Sequence, residues 1–209
     1  IGLFGGSFNP PHHGHRCLVE RALQQLNLDA LWVVPVGLAV HRTLSTISPQ
    51  QRLHLVTTMF ADIPKVTVLD WEVNADVAIP SSQTLARFRH LNPYIVPLFI
   101  LGMDAWASME SWLDYPIHRK LCNVAVFSRV GVAPHTLSGW KNCELTAWQQ
   151  GEWQGAGHVV FVPGTLPDIS ATALRQALRV GDSSLIQQSA AIKKTLQQWY
   201  GYGDNNIDE

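Results

Sequence analysis

Short apolar runs alternate along this chain with longer stretches of helical periodicity. The runs are rich in Val, Ile and Leu and lack a regular polar alternation, which is typical of strands in a parallel sheet covered on both faces. They occupy residues 1–4, 31–36, 66–71, 97–101, 123–127 and 158–162. The pattern therefore predicts six buried strands.

The stretches between the runs predict helices at residues 13–26, 49–61, 83–91, 170–179 and 184–200. The second of these has a favourable start, because Ser48 is a good N-cap and Pro49 suits the first helical position. Strands that alternate with helices predict a Rossmann-like α/β fold, a doubly wound parallel sheet with a helical C-terminal end. Ligands of such sheets bind at the carboxyl ends of the strands, near the point where the strand order reverses.

Two segments fit this pattern less well. Residues 132–157 hold Trp140, Trp148 and Trp153 among Gly, Gln and Ser, which indicates a surface insertion or a region that contacts a partner. Residues 201–209 have no core-forming pattern and are expected to be a frayed tail. We therefore expect one domain over residues 1–200.

Composition narrows the classes of function. Of the 209 residues, 46% are hydrophobic and 15% are charged, which fits a folded domain and not a disordered chain. The net charge is −1 and no basic stripe is visible, so a nucleic-acid partner is not expected. The apolar runs are too short to cross a bilayer, and no signal peptide is apparent, so no membrane partner is expected. Cys17, Cys122 and Cys143 lack CxxC spacing, which favours reduced thiols and a cytoplasmic location.

The run GGSFNPPHHGH, residues 5–15, follows the first predicted strand. His12 and His15 are three residues apart and share one face of a helix, whose first turn has unpaired N–H groups. Gly6 lets the backbone approach a ligand, and Gly14 leaves room beside the helix. These features predict a phosphate site.

The histidines allow two other interpretations. The side chains could simply cap the helix or pack. Together with His13 they could also ligate zinc, but the more usual zinc pair on a helix is four residues apart, so no metal site is predicted.

Two segments of the chain resemble the nucleotidylyltransferase superfamily that is named for its HxGH motif. Residues 5–15 resemble its GG(T/S)FxPxHxGH segment, and residues 169–175, ISATALR, resemble its IS(S/A)TxxR motif. The two segments stand in the expected order, about 155 residues apart. Alone, the second could be only an N-cap serine and a solvated arginine.

Further segments resemble the bacterial nicotinate-nucleotide adenylyltransferases. These segments are residues 98–112, 126–131 and 40–42. The resemblance implies transfer of the adenylyl group of ATP to nicotinate mononucleotide, giving nicotinate adenine dinucleotide and pyrophosphate in NAD synthesis. It implies in-line attack by the mononucleotide phosphate without a covalent intermediate, and Mg²⁺ carried by the ATP phosphates.

The resemblance also assigns residues to ATP. It makes His12 and His15 the catalytic pair at the phosphates. It places the second motif at the β- and γ-phosphates, and an aspartate at the ribose. The residues assigned to ATP are Gly6, Ser7, Gly14, Gly102, Asp104, Ser170, Thr172 and Arg175.

The acceptor side matches the family less closely. The resemblance gives His41 and Arg42 to the mononucleotide phosphate and Trp112 to stacking on the pyridine ring. The ring substituent is expected to meet backbone N–H groups and the hydroxyl of Ser81 or Ser82. However, Pro80 stands where the family has Tyr, and Leu113 stands where an aromatic residue is frequent. Residues 78–82 carry no charged side chain, so fixed N–H groups are expected to favour nicotinate over nicotinamide.

Several alternatives remain open at this point. The acceptor could be nicotinamide mononucleotide or phosphopantetheine. The protein could also be a nucleotide-binding module without catalysis, whereas a synthetase fragment is disfavoured by the lack of a KMSKS-like loop. Association into homo-oligomers is a further open possibility.

Overall fold

A computed structural model of the protein describes residues 1–38, 47–129, 135–187 and 189–200. Within these residues, seven strands form one parallel sheet in the order β3-β2-β1-β4-β5-β7-β6. The strands are β1 (Gly2–Gly6), β2 (Leu31–Pro35), β3 (Val66–Val68), β4 (Leu98–Gly102), β5 (Asn123–Arg129), β6 (Lys141–Asn142) and β7 (His158–Leu166).

Helices connect the strands, and two more follow the sheet. They are α1 (His13–Gln25), α2 (Pro49–Phe60), α3 (Ser81–Leu91), α4 (Met103–Ala107), α5 (His118–Leu121), α6 (Leu145–Gln149), α7 (Ala171–Arg179) and α8 (Ala190–Tyr200), with a 3₁₀ turn at Met109–Ser111. α2 begins as its sequence predicts. The Ser48 hydroxyl accepts the Gln51 N–H at 3.1 Å, and the Gln51 side chain accepts the Ser48 N–H at 2.8 Å, which is a capping box.

The strand order reverses beside β1. Gly2 pairs with Leu31 of β2 on one side and with Leu98 of β4 on the other. β2 and β3 therefore lie on one side of β1, and β4 and β5 lie on the other side. The loops that follow β1 and β4 both begin at the carboxyl edge where this reversal leaves a crevice.

Both faces of the sheet are covered by helices, so the side chains of the strands contribute to two hydrophobic clusters, one on each face. In β4, Leu98 and Ile100 belong to one cluster, whereas Phe99 and Leu101 belong to the other. This alternation follows from the two-residue period of a strand. The predicted Rossmann-like α/β class is confirmed.

The differences from the predicted elements are local. α8 begins at Ala190 and not at residue 184, because the Ser184 N–H is bound to the Asp182 carboxylate at 2.8 Å in a turn. α4, α5, α6 and β6 are only two to five residues long, which is too short for a periodic signal. The tail at 201–209 lies outside the described residues. No helix in the described part of the chain is long and apolar enough to span a membrane.

The tryptophan-rich segment contributes Trp140 and Trp148 to the core, although most of its described residues, 135–157, are exposed. The prediction of a surface insertion is therefore wrong for these two side chains. Strand β6 of this segment extends the sheet by pairing with β7. Trp140 packs edge-on against Trp106 at 5.4 Å between ring centroids. Trp148 stacks on Trp153 at 4.3 Å and is 7% exposed. Isolated tryptophans among polar residues bury large areas without producing a periodic pattern.

Replacing Trp148 with Ala should lower the free energy of unfolding by about 3–5 kcal/mol, the usual cost of deleting a large buried aromatic side chain. Tyr94→Ala is the matched control, because Tyr94 is 99% exposed and should change stability by less than about 0.5 kcal/mol. Urea denaturation of the three proteins measures both effects. Equal midpoints for Trp148→Ala and the wild type would show that Trp148 is not part of the core.

Candidate active site

The turn between β1 and α1 is held by a buried aromatic residue. Phe8 has a positive φ of 45° and is almost fully buried. Its ring meets Phe4 edge-on at 5.4 Å and His15 at 4.9 Å. The apolar contacts of Phe8 therefore fix the path of the loop that leads into the histidine pair.

His12 and His15 lie against each other at the start of α1. Their rings stack with centroids 3.7 Å apart and planes 25° apart. The His12 backbone N–H donates to Nδ1 of His15 at 3.1 Å. Because Nδ1 of His15 accepts this hydrogen bond, the neutral ring carries its own proton on Nε2. His15 thus has a defined tautomer with an Nε2–H donor.

Gly14 stands where the two sequence motifs meet. A Cβ atom added at this position would lie 3.0 Å from Nδ1 of His12 and 3.0 Å from Cγ2 of Ile169. Ile169 is the first residue of the second motif and is itself buried. Glycine therefore lets the start of α1 pack closely between His12 and the second motif.

The second motif caps α7 and is bound to the first. The Ser170 hydroxyl accepts the Ala173 N–H at 3.1 Å, so it is the N-cap of α7. Arg175 donates through Nη2 to the Thr172 hydroxyl at 3.1 Å, and through Nη1 to the carbonyl of Asn9. Arg175 is thus not simply a solvated arginine, and it joins α7 to the loop after β1.

Arg52 of α2 is a site residue that the sequence analysis missed. It is 4% exposed, and its guanidinium donates to the carbonyls of Ser7 at 2.7 Å, Val36 at 2.5 Å and Gly37 at 2.6 Å. Burial lowers the pKa of Arg52, yet an arginine remains charged. The available signal was its helical spacing, because Arg52 lies on the same face as Leu55 and Val56.

The GxD segment lies at the end of β4, the strand next to β1. Gly102 is the N-cap of α4 in an extended conformation, and Asp104 stands exposed in the first turn. A Cβ atom at Gly102 would come within 2.8 Å of Oδ1 of Asp104. The carboxylate of Asp104 is therefore presented at the carboxyl edge of the sheet.

An apolar cleft of about 350 Å³ opens at this edge, between the ends of β1, β2 and β4 and the first turn of α3. Gly6, Ser7, Ser81 and Trp112 all line it, together with apolar side chains such as Phe99. The structure thus brings these predicted residues to one cavity.

The other predicted residues have different positions. Those described by the structure but outside the lining of the apolar cleft are His12, His15, Gly14, Gly102, Asp104, Ser170, Thr172 and Arg175. They belong to the ends of β1 and β4 and the starts of α1, α4 and α7. His41 and Arg42 lie outside the described residues.

Glu72 is a second residue that the sequence analysis missed. It lines the apolar cleft although it is only 5% exposed, and its Oε1 accepts the Thr84 hydroxyl at 2.5 Å. Loss of hydration raises the pKa of Glu72 to about 7, although the bond from Thr84 favours the ionised form. Residues 78–82 carry no charged side chain, as the sequence analysis states, but this carboxyl group reaches the cleft from the turn at residues 71–74.

Comparison with known proteins identifies the family. A family model described as cytidylyltransferase-like matches residues 3–177. A Sulfurovum protein named "Probable nicotinate-nucleotide adenylyltransferase" is 32% identical over 69% of this chain and 77% of its own length. A protein of the same name from Halorhodospira halophila is 30% identical over 97% of this chain and 95% of its own length. The chain belongs to the nicotinate-nucleotide adenylyltransferase family.

The fold of this family member is shared with solved structures. Nicotinic acid mononucleotide adenylyltransferase of Plasmodium falciparum, complexed with NaAD, matches with a TM-score of 0.71 over 95% of each chain at 17% identity. A second structure of the Plasmodium protein, complexed with APC, gives a TM-score of 0.69. The likeness shows a Rossmann-like nucleotidylyltransferase fold. As a member of the family, the protein is a nucleotidyltransferase.

The described residues of the candidate site include hydrogen-bond donors suited to an anion. Among the described residues, no group of three His, Cys, Asp or Glu side chains could hold a metal ion. The third histidine of the motif, His13, has its Nε2 atom 3.1 Å from Sγ of Cys17.

Glu72 should make the stability of this enzyme depend on pH. Because its pKa is raised from about 4.5 to about 7 in the folded state, the folded protein binds more protons than the unfolded chain between these values. The wild type should therefore lose roughly 3 kcal/mol relative to Glu72→Gln as the pH rises through this interval.

Urea denaturation at pH 4.5, 6 and 7.5 measures this difference. Glu110→Gln is the control, because Glu110 is exposed and its replacement should leave the profile unchanged. A difference between wild type and Glu72→Gln that stays constant from pH 4.5 to 7.5 would contradict the assignment of a raised pKa.

Proposed function

We propose that this protein transfers the adenylyl group of ATP to nicotinate mononucleotide, giving nicotinate adenine dinucleotide and pyrophosphate in NAD synthesis. The observation that carries the proposal is the junction of the two motifs beside the apolar cleft. Gly14 packs against Ile169, and Arg175 binds the Asn9 carbonyl. The junction puts two helix N-termini and a guanidinium at one edge of the sheet, next to a cavity suited to a flat ring. The names of the relatives support the same reaction.

The reaction requires positioning and charge stabilisation, and no protein nucleophile. A phosphate oxygen of the mononucleotide attacks the α-phosphorus of ATP, and the bond from that phosphorus to the β-phosphate oxygen breaks, so pyrophosphate leaves. Negative charge builds on the phosphate oxygens in this transition state. The Nε2–H of His15 and the N–H groups at the start of α1 are donors fixed before the reaction, so they stabilise that charge without reorganisation.

The remaining ATP contacts are proposed from the same geometry. Arg175 and the N-terminus of α7 bind the β- and γ-phosphates, and Asp104 accepts hydrogen bonds from the ribose. His12 supports the phosphates together with His15. Mg²⁺ enters as part of the substrate, held by ATP oxygens and water.

The mononucleotide is proposed to place its pyridine ring in the apolar cleft. Trp112 offers an aromatic face there, and its position is fixed by a hydrogen bond from its Nε1 to the Ser108 hydroxyl at 3.2 Å. The Ser81 hydroxyl meets the ring substituent. His41 and Arg42 remain predicted ligands of the mononucleotide phosphate.

One observation favours a second acceptor, nicotinamide mononucleotide. Glu72 reaches the same cleft, and an ionised carboxylate there would accept an amide N–H and repel a nicotinate carboxylate. With its pKa at about 7, Glu72 is largely protonated in mildly acidic solution, where this repulsion disappears. Nicotinate therefore remains the proposed acceptor.

Pyrophosphate release from magnesium–ATP tests the acceptor directly. We expect kcat/KM at pH 6.5 to be roughly ten- to a hundredfold higher with nicotinate than with nicotinamide mononucleotide, because unpaired polar groups in the disfavoured complex cost about 1–3 kcal/mol. Phosphopantetheine serves as the unrelated phosphorylated acceptor. A ratio of one or below would assign nicotinamide mononucleotide, and no release with any acceptor would indicate a binding module.

His15→Ala should lower kcat by roughly 10²–10³, because it removes one fixed donor to the developing charge. KM for ATP should change much less, since other groups bind the ground state. The matched control is His13→Ala, because the His13 ring is directed to Cys17. Steady-state kinetics of both variants give the comparison, and a kcat within about threefold of wild type for His15→Ala would contradict its role.

A further inference from the structure

A buried histidine lies behind the serine that faces the apolar cleft. His118, the first residue of α5, has 0% of its surface exposed. Its Nε2 atom lies 2.9 Å from the Ser81 hydroxyl oxygen. Ser81 lines the cleft, whereas His118 does not. The imidazole therefore reaches the cleft only through the serine hydroxyl.

The surroundings of His118 decide where its proton lies. Burial lowers the pKa of the ring, an effect that the nearby Asp114 carboxylate opposes, so the ring is neutral at pH 7. Its Nδ1 atom is buried and has no hydrogen-bond partner among the described residues. A proton on Nδ1 would be a buried donor without an acceptor, which is rare in proteins. A proton on Nε2 instead makes a hydrogen bond and leaves only a lone pair unpaired.

The neighbouring groups do not reverse this assignment. The Asp114 carboxylate accepts the Ser82 hydroxyl at 2.6 Å, so that acceptor is occupied by another donor. The Tyr115 and Trp112 rings flank the imidazole at centroid distances of 6.5 and 6.0 Å. His118 is therefore held between two aromatic rings, with Nε2 directed at Ser81.

The state of His118 determines what Ser81 can do. A hydroxyl has one proton to donate and lone pairs to accept with. If Ser81 accepts the Nε2–H of His118, its own proton is free for another partner. No other partner of this hydroxyl is found among the described residues, and the cleft is the space that Ser81 lines.

We propose that His118 is a positioning residue that orients the Ser81 hydroxyl as a hydrogen-bond donor into the cleft, and so favours a ring carboxylate over a ring amide. A carboxylate only accepts hydrogen bonds, and a bond to an ionised group is about twice as strong as one to a neutral group. Without His118, the Ser81 hydroxyl can rotate and accept an amide N–H. The inference rests on the proposed function and refines the specificity of the same site.

The test measures the nicotinate-to-nicotinamide ratio of kcat/KM in matched variants. His118→Leu fills the space without a donor and should lower the ratio about five- to tenfold, the equivalent of one net hydrogen bond. The change should appear in KM for the mononucleotide, while KM for ATP stays constant. His118→Gln places an amide N–H where Nε2–H stands and should restore most of the ratio. In a Ser81→Ala background, His118→Leu should have no further effect.

Each outcome bears on the inference. An unchanged ratio in His118→Leu, or an equal loss in the Ser81→Ala background, would overturn it while leaving the proposed function intact. A wild type that transfers adenylyl to neither mononucleotide would overturn the proposed function, and the specificity role with it.

A second measurement does not depend on the folding of a variant. Nitrogen-15 NMR of the wild-type protein at pH 7 reports which ring nitrogen of each histidine is protonated. We expect the His118 signals, identified by their loss in His118→Gln, to show the proton on Nε2. A proton on Nδ1 would mean that Ser81 donates to His118, and would overturn the proposal.

Discussion

The geometry of this site depends on one buried positive charge. The guanidinium of Arg52 holds the carbonyl of Ser7 after β1 and those of Val36 and Gly37 after β2. A buried charge is tolerated only when it is well bonded, so the movement of either loop would remove part of the bonding that the cation needs. Gly37 in turn packs closely against the backbone of Glu72, because a Cβ atom at Gly37 would lie 1.9 Å from the Glu72 carbonyl oxygen. Contacts therefore run without a break from α2 to the lining of the cleft.

This arrangement explains how a chain with a net charge of −1 can handle two polyanionic substrates. Among the described residues, the positive groups proposed to meet the substrates are few and local: the N-termini of α1 and α7, the Nε2–H of His15, and Arg175. Each is fixed by a contact within the protein, as when Arg175 binds the Asn9 carbonyl. Donors fixed in this way stabilise a transition state without first rearranging, whereas a general basic surface would attract any nucleic acid. Catalysis by positioning requires such rigid packing.

The parts that the sequence predicted are those with a local or repeated signal. The strands at 98–102 and 123–129 contain apolar runs that the sequence shows directly. The histidine motif follows the first strand, so its position near the switch point could be predicted from the topology. Glu72 and His118 have no such signal, and Arg52 has only its helical spacing with Leu55 and Val56. Each is a single polar residue whose burial depends on other elements of the chain, as the bonds of Arg52 to Ser7 and of His118 to Ser81 show. The burial of Trp148 was missed for the same reason, because its stacking on Trp153 produces no periodic pattern in the sequence.

In the proposed complex, the described residues that face the ring substituent are neutral groups, and not cations. The first turn of α3 carries Ser81 and Thr84 on one face, three residues apart. Behind Ser81 is the imidazole of His118, and against Thr84 is the carboxyl of Glu72. Burial keeps the first uncharged and raises the pKa of the second to about 7. In the proposed complex, a cleft that orders hydroxyl protons in this way separates a carboxylate from an amide with no lysine or arginine among the lining residues that the structure describes. The proposed preference is lost when Glu72 ionises, because the Glu72 carboxylate bonds to Thr84, one helical turn from Ser81, the donor proposed for the ring carboxylate.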